Sequence, residues 1–209
     1  MSSSLLQQVV VGHASMLHRF TTDEYHQLIE ADILPEGAPI ELIDGVILQK
    51  DRRDHGGDCM NHGTKHAYVV RRLQQRAEAI RQLGFHLQTQ LPVAISSQHE
   101  PEPDGAVIRH GLDEYRDRLP TAADVVLVIE VADSSLKFDW TTKQRVYATA
   151  GIETYWIIDI ACGKIDVFTK PNSSSGMYNN TQSFGRDETV RMSLDDQGHI
   201  DLAVVELLP

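Results

Sequence analysis

The stretch Ala123-Asp124-Val125-Val126-Leu127-Val128-Ile129-Glu130-Val131-Ala132 decides the fold. Its apolar run is nearly continuous, as expected of a central strand buried on both faces rather than one that alternates between core and water. Glu130 is the single charge inside that run. An unpaired carboxylate buried there would be costly, so such groups are normally paired, protonated or bound to a metal. A strand-end glutamate bonded to an arginine or a backbone amide is the plainer reading of the same residue.

Working upstream, Pro103-Asp104 opens a second strand running to Arg109. Asp104 alone reads equally as a turn residue at a strand entry. Taken with Glu130 on the neighbouring strand, it offers two carboxylates converging on one point, which suits a hard, oxygen-seeking cation such as Mg²⁺. Phe85 to Ile95 reads as another strand. From Thr64 to about Leu83, Val70, Leu73, Ala77 and Ile80 recur at helical spacing, and Gly84 closes the helix. His66 lies on that apolar stripe. Ile40 to Leu48 reads as a β-hairpin turning at Asp44-Gly45. Thr21-Thr22-Asp23-Glu24 before Tyr25, Leu28 and Ile29 predicts a short capped helix.

Downstream, a helix is expected from Asp139 to Ala150, stopped by Gly151. At about 100° per residue, Trp140, Lys143 and Tyr147 share one broad face. If that face meets the sheet, the Lys143 ammonium reaches the acids; the plainer reading is a solvated lysine paired with Asp139. Thr154–Ile160 and Lys164–Thr169 form a further hairpin. Pro171 to Arg186, rich in Ser, Asn and Gly, reads as a loop. Short strands follow near Thr189–Met192 and Ile200–Val204. The pattern is α/β (α+β): one central mixed sheet flanked by helices over residues 18–209, with residues 1–17 as an N-terminal arm.

The order Glu41-Leu42-Ile43-Asp44-Gly45, His66, Pro103-Asp104, Val128-Ile129-Glu130-Val131-Ala132-Asp133-Ser134-Ser135, then Asp139, Lys143, Tyr147, Gly151-Ile152 and Tyr155-Trp156-Ile157-Ile158-Asp159 resembles the Uma-type restriction endonucleases of the PD-(D/E)XK superfamily. The likeness runs from about Phe20 to Phe168 and is most specific from Glu130 to Asp159. It implies a restriction-endonuclease-like core and a metal-dependent phosphodiesterase centre. Asp104 matches the Asp of the PD element and Glu130 the D/E position. The E-x-K pattern breaks at Ala132, and Lys143 on the next helix matches the lysine that replaces it. Glu41 matches a further family acid. The resemblance thus implies catalytic roles for Asp104, Glu130, Lys143 and Glu41, with Asp104, Glu130, the Val131 carbonyl and Glu41 holding Mg²⁺ or Mn²⁺.

A nucleic-acid substrate, DNA before RNA, needs positive charge. Lys65, Arg72 and Arg76 lie within about 40° of one another on the helix from Thr64 at 100° per residue, with Arg52 and Arg53 in the preceding loop and His66 beside them. A solvated helix face is the commoner use of such a pattern. His62 and His66 are four residues apart, but no third ligand accompanies them, so a zinc site is not expected. The formal net charge of −11 opposes general nucleic-acid affinity and favours the rival reading, a catalytically inactive relative acting as a binding module.

Hydrophobic residues make up 41% and charged residues 23% of the 209, an ordinary globular composition. Cys59 and Cys162 form no C-x-x-C pair, so reduced thiols are expected. Met1 to Gly12 lacks the basic start of a secretory signal, and no apolar stretch is long enough to span a bilayer. A cytoplasmic protein, with homodimerisation by analogy to other nucleases, is the expectation.

Overall fold

The computed structural model describes residues 17–50 and 63–209. Residues 1–16 of the N-terminal arm, Arg52, Arg53, Cys59 and His62 therefore lie outside the described residues.

A six-stranded sheet organises the molecule, in the order β3 (Phe85–Gln88), β4 (Gly105–Arg109), β5 (Val125–Ala132), β6 (Thr154–Asp159), β7 (Lys164–Asn172), β8 (Met177–Gly185). Only β5 and β6 run parallel, joined by the helical run α4 (residues 136–149); the other neighbours are antiparallel. This is the expected mixed sheet. All eight residues of β5 are buried, as the apolar run of the quoted stretch requires. Alternate side chains feed two cores. Ile129 and Val131 meet α2 (Thr64–Gln74), α3 (Ala77–Gln82) and the hairpin β9 (Thr189–Leu194)–β10 (Gly198–Ala203). Val128 and Ala132 meet α4 and the hairpin β1 (Ile40–Ile43)–β2 (Val46–Gln49).

The turn chemistry holds. Thr21 caps α1 (Thr22–Glu30) in a reciprocal capping box with Glu24. Asp44 and Gly45 both take positive φ, 53° and 66°, as a tight hairpin turn demands.

Four elements differ from expectation. The helix over 64–83 breaks at Gln75–Arg76, where the Arg76 N–H bonds three residues back to Leu73. The strand from Phe85 ends at Gln88, because Gln90 turns left-handed (φ 54°) and Pro92 has no N–H to offer a neighbour. The helix after β5 begins at Leu136 and comprises Leu136–Phe138, a π-turn over Asp139–Lys143, and Gln144–Thr149. The largest correction is 171–186: instead of a loop it contains β8, paired along β7. Its side chains are mostly exposed, so the strand carries no apolar alternation; ladder bonds to β7 hold it.

Candidate active site

Glu130 projects from β5 on the face that α4 covers, between Val128 and Ala132, and is only 4% exposed. Its Oε1 accepts two hydrogen bonds, from Lys143 Nζ at 2.9 Å and from the Tyr147 hydroxyl at 2.7 Å. The same ammonium donates to Glu41 Oε2 at 2.7 Å. Lys143 is 2% exposed, so it is not a solvated lysine; α4 drives it inward to bridge two acids. The partner of Glu130 is thus an ammonium and a phenol rather than an arginine.

Asp104 stands one residue before β4. Its Oδ2 accepts the Val131 N–H at 2.9 Å and lies 3.0 Å from His66 Nε2. Since Val131 follows Glu130 in β5, this bond fixes the two strand acids side by side. Glu41 enters from the β1–β2 hairpin, where its Oε2 also accepts the Glu102 N–H at 3.2 Å. The hairpin is further tied to the Asp104 segment by the Leu42–Glu100 bridge. At the rim, Lys50 Nζ donates to the Glu102 carbonyl oxygen.

Each carboxylate has one oxygen held by the protein. Among the described residues, no donor hydrogen-bonds to Asp104 Oδ1, Glu130 Oε2 or Glu41 Oε1.

Environment separates the two strand acids. Burial works to raise the Asp104 pKa, but the His66 hydrogen bond and charge, the Lys50 ammonium and the Val131 N–H outweigh it and hold the carboxyl well below its ordinary range. For Glu130, burial dominates and pushes the pKa up; Lys143 pulls it back and Asp104 adds to the rise. Burial would lower the His66 pKa, yet the Asp104 contact raises it overall. Lys143 shows the same contest: burial opposes its charge, and Glu130 and Glu41 restore it and lift the pKa above normal. Asp139, one turn before Lys143, is pushed up to about 8 by burial and by the Glu130 charge, despite the Ser135 hydroxyl bond to its Oδ2.

The structure therefore brings together Asp104, Glu130, Lys143 and Glu41, and adds His66. It does not bring the rest of the basic track to them. Lys65 is exposed on α2. Arg72 donates to the Glu206 carbonyl and Arg76 pairs with the Glu206 carboxylate, tying α2 to the C-terminal segment.

The family described as "Uma2: Putative restriction endonuclease" matches residues 22–204, a span that takes in every residue of this cluster. The chain belongs to the Uma2 family. A crystal structure of a putative nuclease of the DUF820 group from Anabaena variabilis has the same fold, with a TM-score of 0.65 at 20% identity over 90% of this chain and 97% of the other. No curated protein matches the chain.

In this Uma2 member the sequence left three neighbours of the cluster unassigned. Tyr147 and Asp139 carried a signal, being four residues either side of Lys143 on one helical face. Lys50 carried none: it reaches the site only because the hairpin folds against Glu102, 52 residues away.

Proposed function

We propose that the protein is a divalent-metal-dependent endonuclease hydrolysing phosphodiester bonds of DNA. The observation that carries this reading is the convergence of Glu41, Asp104 and Glu130, each with one oxygen pinned and one left without a donor among the described residues. Family membership supports nuclease chemistry.

The donor set fits Mg²⁺ or Mn²⁺. Among the described residues no three His, Cys, Asp or Glu side chains form a ready metal cage. Mg²⁺ does not need one, since it commonly takes one or two carboxylates and keeps several waters. Asp104 and Glu130 would hold it, with the Val131 carbonyl and Glu41 completing the set directly or through water. Bound there, the ion would polarise a phosphoryl oxygen and lower the pKa of a water. Lys143 bridges Glu41 and Glu130 and holds them close together, and its remaining N–H would serve charge growing on the phosphoryl group. His66 and Lys50, beside the acids, would face the phosphate diester, with Lys65 next to His66 on α2.

The test is cleavage of single-stranded, duplex and branched DNA with Mg²⁺ or Mn²⁺, comparing wild type with Asp104→Asn and Glu130→Gln. Both variants should lose cleavage by about a thousandfold or more, as expected when a principal electrostatic element is removed, with circular dichroism unchanged. Full cleavage by either ends the proposal. The net charge of −11 favours the second reading, a binding module on the same fold. Wild type that binds DNA yet never cuts it would select that reading.

A further inference from the structure

Glu130 accepts both of its hydrogen bonds on one oxygen. Lys143 and Tyr147 each donate to Oε1, and among the described residues nothing donates to Oε2. A carboxylate with two donors on one oxygen cannot rotate about its last bond without breaking both, so the other oxygen is aimed. Tyr147 is fully buried and lies against the Tyr155 ring at 5.1 Å, which fixes the phenol in place.

Both donors come from one helical run. Lys143 and Tyr147 are four residues apart, about 40° out of line on a regular α-helix. The turn over Asp139–Lys143 ends just before the regular segment Gln144–Thr149 that carries Tyr147. Such insertions are frequent at functional sites, and this one stands directly before the regular turn whose two ends, Lys143 and Tyr147, reach a single oxygen.

We infer that Tyr147 is a positioning residue that locks the Glu130 carboxylate so that Oε2 faces the cation and Oε1 never does. This rests on the cation reading proposed above. The phenol donates to Oε1 and not to Oε2. It therefore acts through orientation and touches neither metal nor substrate.

Tyr147→Phe keeps the ring and deletes the donor. Tyr155→Phe is the matched control: it also removes a buried tyrosine hydroxyl, one that donates to the Asp139 carbonyl at 3.1 Å instead of to Glu130. Mn²⁺ binding, read by calorimetry on the full chain, should weaken about tenfold in Tyr147→Phe, a loss of one hydrogen bond to a charged group, and stay within twofold of wild type in Tyr155→Phe. Cleavage at saturating Mn²⁺ should be nearly retained in both, so that the apparent metal affinity moves and kcat does not.

Equal Mn²⁺ affinity in wild type and Tyr147→Phe overturns the inference and leaves the nuclease reading standing. Equal weakening in the two variants also overturns it, because that is what a packing role predicts. Wild type that binds no Mn²⁺ instead sinks the cation reading, and this inference with it. Should Tyr147→Phe fail to fold, the wild type alone suffices: the Tyr147 hydroxyl proton, observed by NMR, should shift on Mg²⁺ addition while that of Tyr155 stays put, and an unmoved Tyr147 resonance refutes the lock.

Discussion

Two ion pairs built from the same chemistry behave as opposites in this molecule. In the core, Lys143 bridges Glu41 and Glu130 with all three side chains at 5% exposure or less. At the edge of α2, Arg76 pairs with Glu206, whose side chain is 47% exposed. Water can replace either partner of the surface pair. In the buried set, among the described residues, the charges are solvated by one another, by the Tyr147 hydroxyl and by the Glu102 N–H. The buried set was therefore assembled at a desolvation cost that a stability role alone does not explain, whereas the surface pair fastens a C-terminal segment.

The contrast is broken most directly by removing the buried cation. Lys143→Met should cost about 3–5 kcal/mol in urea unfolding, the usual penalty for stranding a buried charge. A loss under about 1 kcal/mol, the surface-pair range, would show that Glu41 and Glu130 are wetter than their burial implies.

The pH dependence of stability sharpens it next. Asp139 is pushed up to about 8 in the folded protein from an ordinary 3.8. Between those values the native state holds a proton that the unfolded chain has released, so this residue's contribution falls as pH rises. Asp139→Asn removes the titration. Relative to wild type, the variant should therefore gain on the order of 1 kcal/mol per pH unit between pH 5 and pH 8. Unfolding curves at the two pH values giving the same difference would refute the shift. Asp104 works the other way round, whereas its partner His66 follows the same direction as Asp139. The Asp104 contribution is present above its unfolded pKa and disappears as pH falls through its depressed folded pKa. That of His66 is full below its unfolded pKa and disappears as pH rises through its raised folded pKa. His66→Asn should thus cost more stability at pH 6 than at pH 9.

The smallest effect belongs to the surface pair. Glu206→Gln should cost at most about 1 kcal/mol, and less in high salt. A salt-insensitive loss several times larger would mean that the C-terminal segment is held as rigidly as the core.

Much of the cluster was legible in the chain. Glu130 stood out because a charge inside an apolar strand is a local anomaly, and Lys143 because the helix period turned it toward the same face. Their places on neighbouring strands paired Asp104 with Glu130, and the family likeness supplied Glu41. Strand β8 was not legible: Asn179, Asn180, Thr181, Gln182 and Ser183 carry no apolar alternation, and edge pairing to β7 needs none. Arg72 and Arg76 read as a phosphate track because nothing near them in sequence announces Glu206, more than a hundred residues later.

By itself, then, the sequence determined which residues could not sit comfortably where the hydrophobic pattern puts them. It also determined the strands and turns whose signal lies within a few residues. Only the tertiary structure decided which partner each misplaced charge found. Burial cost is a property of one residue and its neighbours in the chain, while the group that offsets it is fixed by how distant strands and helices pack.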